Sequence, residues 1–179
     1  MKFIQTCVAG AWIIEPEPRI DDRGFFARVW DHNEFAARGL SMAFVQCNNS
    51  GSRWKGTIRG LHWQESPFAE IKLVRCTRGA VFDVVADVRP DSPTFGRWAG
   101  VELSADNRLW LYVPQLCAHG YMSLEDGSEV IYAVTAPYHP SAERGIRYND
   151  PYFAIRWPNV GEILVSEKDR SWPDFKVSQ

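Results

Sequence analysis

Two histidines stand where a folded chain could present an imidazole to a ligand. His62 lies in the stretch 59–64, where the alternation of a β-strand would send it to the face opposite Arg59, beside a glycine that leaves room for a ligand. His119 lies in the segment 114–120, where a proline and a glycine bracket a turn before a strand. An imidazole titrates near neutral pH, so either histidine could take part in acid–base chemistry or be a hydrogen-bonded structural residue.

A tyrosine and an aspartate could complete a metal-free acid–base site. In the segment 129–134, alternation places Tyr132 on one face with Val130 and Val134, so that its phenol could project inward as an acid or pack in the core. Asp169, in the charge cluster 166–169, could orient an imidazole or belong to a solvated turn. Contacts to an anion could come from basic side chains, with Lys72, Arg59, Arg23 and Arg144 as candidates.

A metal centre is disfavoured by the spacing of the possible ligands. A metal site in a β-barrel needs three or four ligands, yet the residue two positions after His62 is Gln64 rather than a second histidine. The other histidines, His32 and His139, fall in a predicted helix and a proline-flanked loop. The four cysteines are widely spread without a Cys-x-x-Cys pair, so we expect buried reduced thiols and no metal.

Charge and hydropathy exclude several classes of function. The 179 residues include 20 basic and 22 acidic side chains, a net charge of −2, which argues against a nucleic-acid-binding domain. The first residues do not resemble a signal peptide, and no apolar run approaches the roughly 20 residues of a membrane helix. We therefore expect a cytoplasmic protein with no membrane or nucleic-acid partner.

The elements that must position these side chains are predicted to be mainly strands. A helix is expected at residues 31–38 and the clearest strand at 80–88, where apolar residues line both faces. The other predicted strands are residues 72–76, 97–103, 108–113, 120–124 and 129–134. Strands spaced about 10 residues apart with turn signals between them predict an antiparallel sandwich, jelly roll or barrel. We expect a single domain, residues 1–179, with the tail 151–173 packed across the outside or closing one end.

A series of motifs runs through nearly the whole chain in a specific order. The strongest is KGTIRGLH at residues 55–62. The others are DRGFF at 22–26, FVQCN at 44–48, KLVR at 72–75, RG at 78–79, SPTFG at 92–96, VELS at 101–104, AHG at 118–120, ERGIR at 143–147, NDP at 149–151 and SEKD at 166–169. In these motifs the chain resembles the dTDP-4-dehydrorhamnose 3,5-epimerase family of cupin enzymes.

The resemblance implies a fold and a role for each matching residue. The fold would be all-β, a cupin double-stranded β-helix (an antiparallel jelly-roll barrel) with short peripheral helices. His62 would be the general base, held by Asp169, and Tyr132 the acid on the opposite face of the sugar. Lys72 would stabilise the enolate oxygen. The residues that would contact the nucleotide-sugar are Arg23, Gln46, Asn48, Arg59, His119, Glu143 and Lys168, with Tyr138 stacked on the base.

The resemblance also implies an isomerase that uses no metal or other cofactor and works as a homodimer with exchanged N-terminal strands. Its substrate would be a nucleoside-diphosphate 4-keto-6-deoxy hexose, in which the hydrogens beside the carbonyl are acidic enough for a base to remove. Three alternatives stay open at this point: inversion of one centre only, migration of the keto group, and a non-catalytic module that binds nucleotide-sugars.

Departures from the family pattern cluster at the expected nucleotide and sugar contacts. Arg28 and Cys47 stand where Glu and Asp are common, and Ala136 and Pro137 replace a frequent Asp and Tyr. The interval between Gln46 and His62 is also one residue longer than usual. The nucleotide, dTDP, CDP or GDP, is therefore left open by the sequence.

Overall fold

The computed structural model describes residues 1–40 and 43–177, and most of its regular structure is β-strand. The strands are β1 (Lys2–Gln5), β2 (Trp12–Glu15), β3 (Arg19–Asp21), β4 (Gly24–Phe26), β5 (Gln46–Ser52), β6 (Thr57–Gln64), β7 (Lys72–Arg78), β8 (Ala80–Asp87), β9 (Trp98–Ser104), β10 (Trp110–Val113), β11 (Cys117–Ser123), β12 (Ser128–Val134), β13 (Glu143–Gly145) and β14 (Leu164–Val165). The helices are α1 (His32–Ala36), α2 (Glu167–Arg170) and a 3-10 turn at Pro140–Ala142.

Two antiparallel sheets face each other and form the predicted jelly-roll barrel. One sheet has the strand order β1-β2-β10-β7-β12-β5, and the other has the order β13-β6-β11-β8-β9. The short strand β14 joins the second sheet by pairing in parallel with β6. Strands β3 and β4 form a separate hairpin. The all-β fold class expected from the sequence is confirmed.

Strand β8 shows why the barrel is buried on both sides. Val81 and Val85 point into the barrel, where they pack with residues of the facing sheet. Val84 and Ala86 point outward and are covered by Phe153 and other residues of the C-terminal segment. An apolar face on each side of a strand requires cover on each side, and the tail provides the outer one. The prediction that the tail packs across the outside is confirmed.

The short helix α1 is determined by its N-terminal cap. The Asp31 carboxylate accepts hydrogen bonds from the backbone N–H groups of Asn33 and Glu34. Phe35 is buried on the inner side of the helix, and Gly39 adopts a left-handed φ of 71° just after it. The observed helix is shorter than the predicted 31–38 but lies within it. None of the described helices is long and apolar enough to span a membrane.

The sequence-based start of strand β11 was wrong. The strand was expected to begin at Gly120, after a turn holding His119, but it begins at Cys117 and includes His119. Gly120 serves close packing between strands, because a Cβ atom there would lie 2.6 Å from the carbonyl oxygen of Arg59. The left-handed residue of the preceding turn is Leu116, with φ of 57°.

Candidate active site

Two adjoining cavities open between the sheets and meet at His62, Lys72 and Tyr132. The larger lobe has a volume of about 670 Å³. Its polar lining includes Ser50, Arg53, Arg59, His119, Tyr121, Lys168 and Asp169. The smaller lobe has a volume of about 340 Å³. Its polar lining includes Gln46, Asn48, Gln64, Glu70, Tyr138 and Glu143. The three shared residues therefore lie at the centre of one cleft.

A bulge in β6 places Arg59 and His62 in the same cavity. His62 pairs with His119 and Arg59 pairs with Tyr121, so three steps on β6 oppose two steps on β11. The expectation that strand alternation separates Arg59 from His62 was therefore wrong. The bulge falls at Gly60, whose φ is 98° and where a Cβ would lie 2.6 Å from the carbonyl oxygen of His119. Only glycine fits this backbone without a shift.

The imidazole of His62 is held by the carboxylate of Asp169. Nε2 of His62 lies 2.6 Å from Oδ1 of Asp169, whose second oxygen accepts the backbone N–H of Gly60 at 3.2 Å. Burial alone would raise the pKa of Asp169, but the hydrogen bonds from His62 and Gly60 outweigh it and lower that pKa. The carboxylate therefore stays ionised and orients the ring. The His62 side chain itself remains 27% exposed to the cavity.

Helix α2 brings Asp169 to this position from the far end of the chain. The Ser166 hydroxyl caps the helix by accepting the N–H of Asp169, and β14 ties the preceding residues to β6. His62 and Asp169 are 107 residues apart in sequence. The pair therefore exists only when the C-terminal segment is docked against the barrel.

Tyr132 and Lys72 lie on adjacent strands of the sheet facing His62. Burial, and then the nearby Tyr121 and Glu70, raise the pKa of Tyr132, while Arg59 acts in the opposite direction. The phenol is consequently protonated at neutral pH and can donate a proton. Nζ of Lys72 lies 3.1 Å from Oε1 of Glu70. A base, an acid and a cation thus meet in one cleft, which is the set needed to move a proton on a carbon beside a carbonyl.

A second histidine–aspartate pair lies deeper in the larger lobe. Nε2 of His119 is 2.7 Å from Oδ1 of Asp83, which lies on the neighbouring strand β8 and is fully buried. The sequence reasoning singled out His119 but missed Asp83. A signal was present, because Asp83 lies between Val81 and Val85 on one face of a strongly apolar strand. A carboxylate on a buried strand face needs a partner.

Other predicted contact residues converge around the two lobes. The amide of Gln46 donates to Asn48 at 2.9 Å. One carboxylate oxygen of Glu143 accepts from the Tyr138 hydroxyl at 2.8 Å and from Nζ of Lys168 at 2.6 Å. Burial would raise the pKa of Glu143, but these two bonds and the nearby His62 lower it overall. The half-exposed Tyr138 ring is thereby fixed at the edge of the smaller lobe.

Arg23 is the predicted site residue that this chain does not bring to the cleft. It lies at the turn of the β3–β4 hairpin, its side chain is 90% exposed, and it pairs with Asp21. Arg144 is also used elsewhere, in an ion pair with Glu65 at 2.6 Å. The hairpin carries three exposed apolar side chains, those of Ile20, Phe25 and Phe26.

The charge of the larger lobe suits a phosphorylated ligand. Arg53, Arg59, Lys72 and Lys168 all line it, and guanidinium and ammonium groups bind phosphate oxygens through charge-assisted hydrogen bonds. Within residues 1–40 and 43–177, no three His, Cys, Asp or Glu side chains are grouped so that they could hold a metal ion.

Comparison with known proteins identifies the family. The family model described as dTDP-4-dehydrorhamnose 3,5-epimerase matches residues 5–177. The chain belongs to this family. A relative named dTDP-4-dehydrorhamnose 3,5-epimerase from Escherichia coli (strain K12) is 45% identical over 170 residues, covering 94% of this chain and 91% of the relative.

Solved structures of epimerases share the fold. The crystal structure of dTDP-4-dehydrorhamnose 3,5-epimerase from Elizabethkingia anophelis NUHP1 superposes with a TM-score of 0.94 at 39% identity, covering 98% of this chain and 96% of that one. A 3,5-epimerase from Legionella pneumophila Philadelphia 1, solved in complex with dTDP-4-keto-L-rhamnose, superposes with a TM-score of 0.88 at 38% identity and covers 98% and 99% of the two chains.

Proposed function

We propose that the chain, as one domain spanning residues 1–179, is an isomerase that catalyses the 3,5-epimerisation of a dTDP-linked 4-keto-6-deoxy hexose. The observation that carries the proposal is the cleft in which His62, held by Asp169, lies together with Tyr132 and Lys72. The epimerase family to which the chain belongs, and the dTDP-sugar bound to the Legionella relative, favour this substrate class.

The proposed reaction transfers one proton off the sugar and another one back. His62 takes the proton from the carbon beside the ketone, and the electron pair of the C–H bond forms the enolate. The ammonium of Lys72, with His119 and Arg59 nearby, stabilises the charge on the enolate oxygen. Tyr132 then donates its proton to the opposite face of the carbon, and exchange with solvent resets both groups. No oxidation state changes, so the reaction requires no redox cofactor.

The nucleotide is proposed to bind at the polar rim of the cleft. Lys168 would contact the diphosphate, and Gln46 and Asn48 would contact the nucleotide-sugar. The Tyr138 ring would stack on the base, held in place by Glu143.

A homodimer is proposed to complete the site. Arg23 is far too exposed in one chain to hold a substrate, and its hairpin exposes Ile20 at 80% and Phe26 at 69%. Insertion of the hairpin of a second copy at the cleft would bury these side chains and supply the missing guanidinium. Sedimentation of the wild type should give a dimer, whereas a Phe26→Asp variant should shift towards monomer and lose activity.

We further infer that the protein works in the cytoplasm. Its four cysteines, Cys7, Cys47, Cys76 and Cys117, are all free thiols, but Cys7 and Cys47 are exposed, so the expectation of buried thiols was wrong for these two. Unpaired cysteines are typical of reducing compartments.

Incubation with keto-sugars in deuterated water tests the proposed activity. With the dTDP-linked substrate we expect deuterium at positions 3 and 5 and an inverted product by NMR. Deuterium at one position would indicate a single-centre epimerase, and a displaced ketone a keto-isomerase. A thermal-shift screen with dTDP, CDP, GDP and UDP should show the largest stabilisation with dTDP. The proposal fails if no exchange occurs with dTDP-, CDP- and GDP-linked substrates.

A further inference from the structure

We propose that Gln64 is a positioning residue that couples the two ends of the cleft: through Glu70 it fixes Lys72, and through the backbone on either side of Tyr138 it fixes the nucleotide-binding loop. The inference rests on the proposed function, because it assigns Lys72 and Tyr138 to the reaction and to the nucleotide. Gln64 is the last residue of β6, two positions after His62, and is only 2% exposed.

The carboxamide of Gln64 contacts two separate loops. Nε2 donates to the carbonyl oxygen of Phe68 at 3.0 Å and to Oε2 of Glu70 at 3.0 Å, both in the loop between β6 and β7. Nε2 also lies 3.2 Å from the carbonyl oxygen of Pro137, and Oε1 accepts the backbone N–H of His139 at 2.5 Å. A buried carboxamide whose nitrogen and oxygen both have partners holds those partners in one arrangement.

The contact with Glu70 reaches the proposed proton-transfer centre. One oxygen of Glu70 bonds to Gln64, and the other lies 3.1 Å from Nζ of Lys72. Nζ of Lys72 is also 3.4 Å from the carbonyl oxygen of His62. Gln64 therefore holds one oxygen of the Glu70 carboxylate. The other oxygen, together with the carbonyl of His62, positions Lys72.

The contacts with Pro137 and His139 bracket Tyr138 on both sides in the chain. The His139 ring also stacks on the Phe68 ring, with centroids 3.8 Å apart and planes 15° apart. The two loops thus touch each other through this stack and are both tied to β6 by Gln64. Loss of the carboxamide should loosen both loops, because the backbone hydrogen bond from Glu65 to Ala142 at 2.9 Å joins only their ends.

A carboxylate in place of the Gln64 amide provides a pH-sensitive test. Gln64→Glu would put a second carboxyl about 3 Å from Glu70, and like charges at that separation raise one pKa strongly. Below that pKa the shared proton restores a donor to Glu70, and above it the carboxylates repel each other. The titratable groups facing this position from the packed elements are Glu70, Lys72, His62, Tyr132, Tyr138, His139 and Glu143. Each of these groups is also present in the wild type. The ratio of the kcat of Gln64→Glu to that of the wild type therefore reports the titration of the new carboxyl alone.

Three variants are compared in the full-length protein: Gln64→Met, which keeps the shape but removes the amide, Gln64→Glu, and the control Gln115→Met. Gln115 is exposed, and its amide donates to the carbonyl oxygen of Ala69 in the same β6–β7 loop at 3.1 Å. The control therefore removes a bond to that loop without touching Glu70 or the Tyr138 loop. Readouts are kcat and KM for the dTDP-linked keto-sugar and amide hydrogen exchange of the substrate-free protein.

We expect Gln64→Met to lower kcat and raise KM, each by about 10-fold or more, since small displacements of aligned groups cost large factors in rate. Hydrogen exchange should quicken in both segments, 65–70 and 136–142. For Gln64→Glu, the ratio of its kcat to that of the wild type should fall on the order of 10-fold between about pH 5 and pH 8. Gln115→Met should stay within about twofold of the wild type in kcat and KM.

Several results would overturn the inference. Unchanged kcat and KM in Gln64→Met, or faster exchange in only one of the two segments, would show that no coupling exists. A pH profile of Gln64→Glu parallel to that of the wild type would exclude the link through Glu70. If Gln64→Met does not fold, the pH dependence of the kcat ratio between Gln64→Glu and the wild type decides whether Gln64 acts through Glu70. Failure of the wild type and of Gln115→Met to turn over any keto-sugar would contradict the proposed function, and the hydrogen-exchange comparison would still decide whether Gln64 couples the loops.

Discussion

The barrel holds two histidine–aspartate pairs, and they differ in how the fold supplies the carboxylate. His119 and Asp83 lie on neighbouring strands β11 and β8, where the sheet register alone brings them together. His62 lies on the bulged strand β6, and its partner Asp169 arrives from α2 near the end of the chain. The first pair is almost wholly buried, whereas 27% of the His62 side chain is exposed to the cavity.

The difference separates a structural contribution from a reactive one. A pair built into a sheet and almost wholly buried is rigid, and it stabilises the barrel while presenting a polar group at the end of the cavity. A pair in which the imidazole remains open to the cavity can exchange a proton with a ligand. We therefore assign proton abstraction to His62. His119 is assigned a supporting role, in which it stabilises the charge on the enolate oxygen.

Replacement of the two histidines should give the largest difference between the pairs. His62→Asn removes the base and should lower kcat by about 1000-fold, within the range that general bases contribute. His119→Asn should cost about 10-fold, because it removes only one donor near the enolate oxygen. Steady-state kinetics with the dTDP-linked keto-sugar measure both, and circular dichroism confirms that each variant is folded. Equal losses in the two variants would contradict the division of roles.

Replacement of the two aspartates should separate activity from stability. Asp169→Asn should lower kcat by about 100-fold, because the orientation of His62 is lost, and reduce the free energy of unfolding by about 1 kcal/mol. Asp83→Asn should lower kcat by less than about 10-fold. It should reduce the free energy of unfolding by about 2 kcal/mol or more, because its partner His119 is almost wholly buried. Urea unfolding and kinetics on the same preparations test this. The opposite ranking of the two variants in either quantity would be evidence against it.

The free energy of unfolding at acid pH should depend on the pair formed by His62 and Asp169. The pKa of the Asp169 carboxyl in the folded protein lies below its ordinary value of 3.8. The stabilisation is therefore fully present above about pH 5 and is lost as the pH falls through the lower, folded-state value. Glu143 shifts in the same direction and adds to the loss. Unfolding free energy measured between about pH 2 and pH 6 should fall less steeply in Asp169→Asn than in the wild type. An identical slope in the two proteins would refute the linkage.

The strands of the barrel could be predicted because their pattern is local. Residues 72–78, 80–87 and 128–134 alternate or stay apolar between turn signals, and each was expected at nearly its observed bounds. Tyr132 was placed on the inner face for the same reason. The same logic failed at Arg59, because a bulge at Gly60 inserts one residue that no local alternation reveals.

The partners of the site residues were harder to predict. His62, Lys72 and Asp169 lie in motifs that occur in a family order, and Tyr132 lies on a strand predicted from alternation. The structure brings all four to one cleft. Asp83 and Glu70 lie in no such pattern, although Asp83 lies between two valines on a strongly apolar strand. Their significance depends on which strand or loop lies opposite, and that information belongs to the tertiary structure.

The central claim is that His62 removes the substrate proton and Tyr132 returns one to the opposite face. Position-resolved deuterium incorporation in Tyr132→Phe and His62→Asn, followed by NMR with the dTDP-linked keto-sugar, tests it most directly. The account predicts that Tyr132→Phe still exchanges hydrogen for deuterium but forms little inverted product, whereas His62→Asn does neither. Inversion by Tyr132→Phe at the wild-type rate, or exchange by His62→Asn at the wild-type rate, would contradict it.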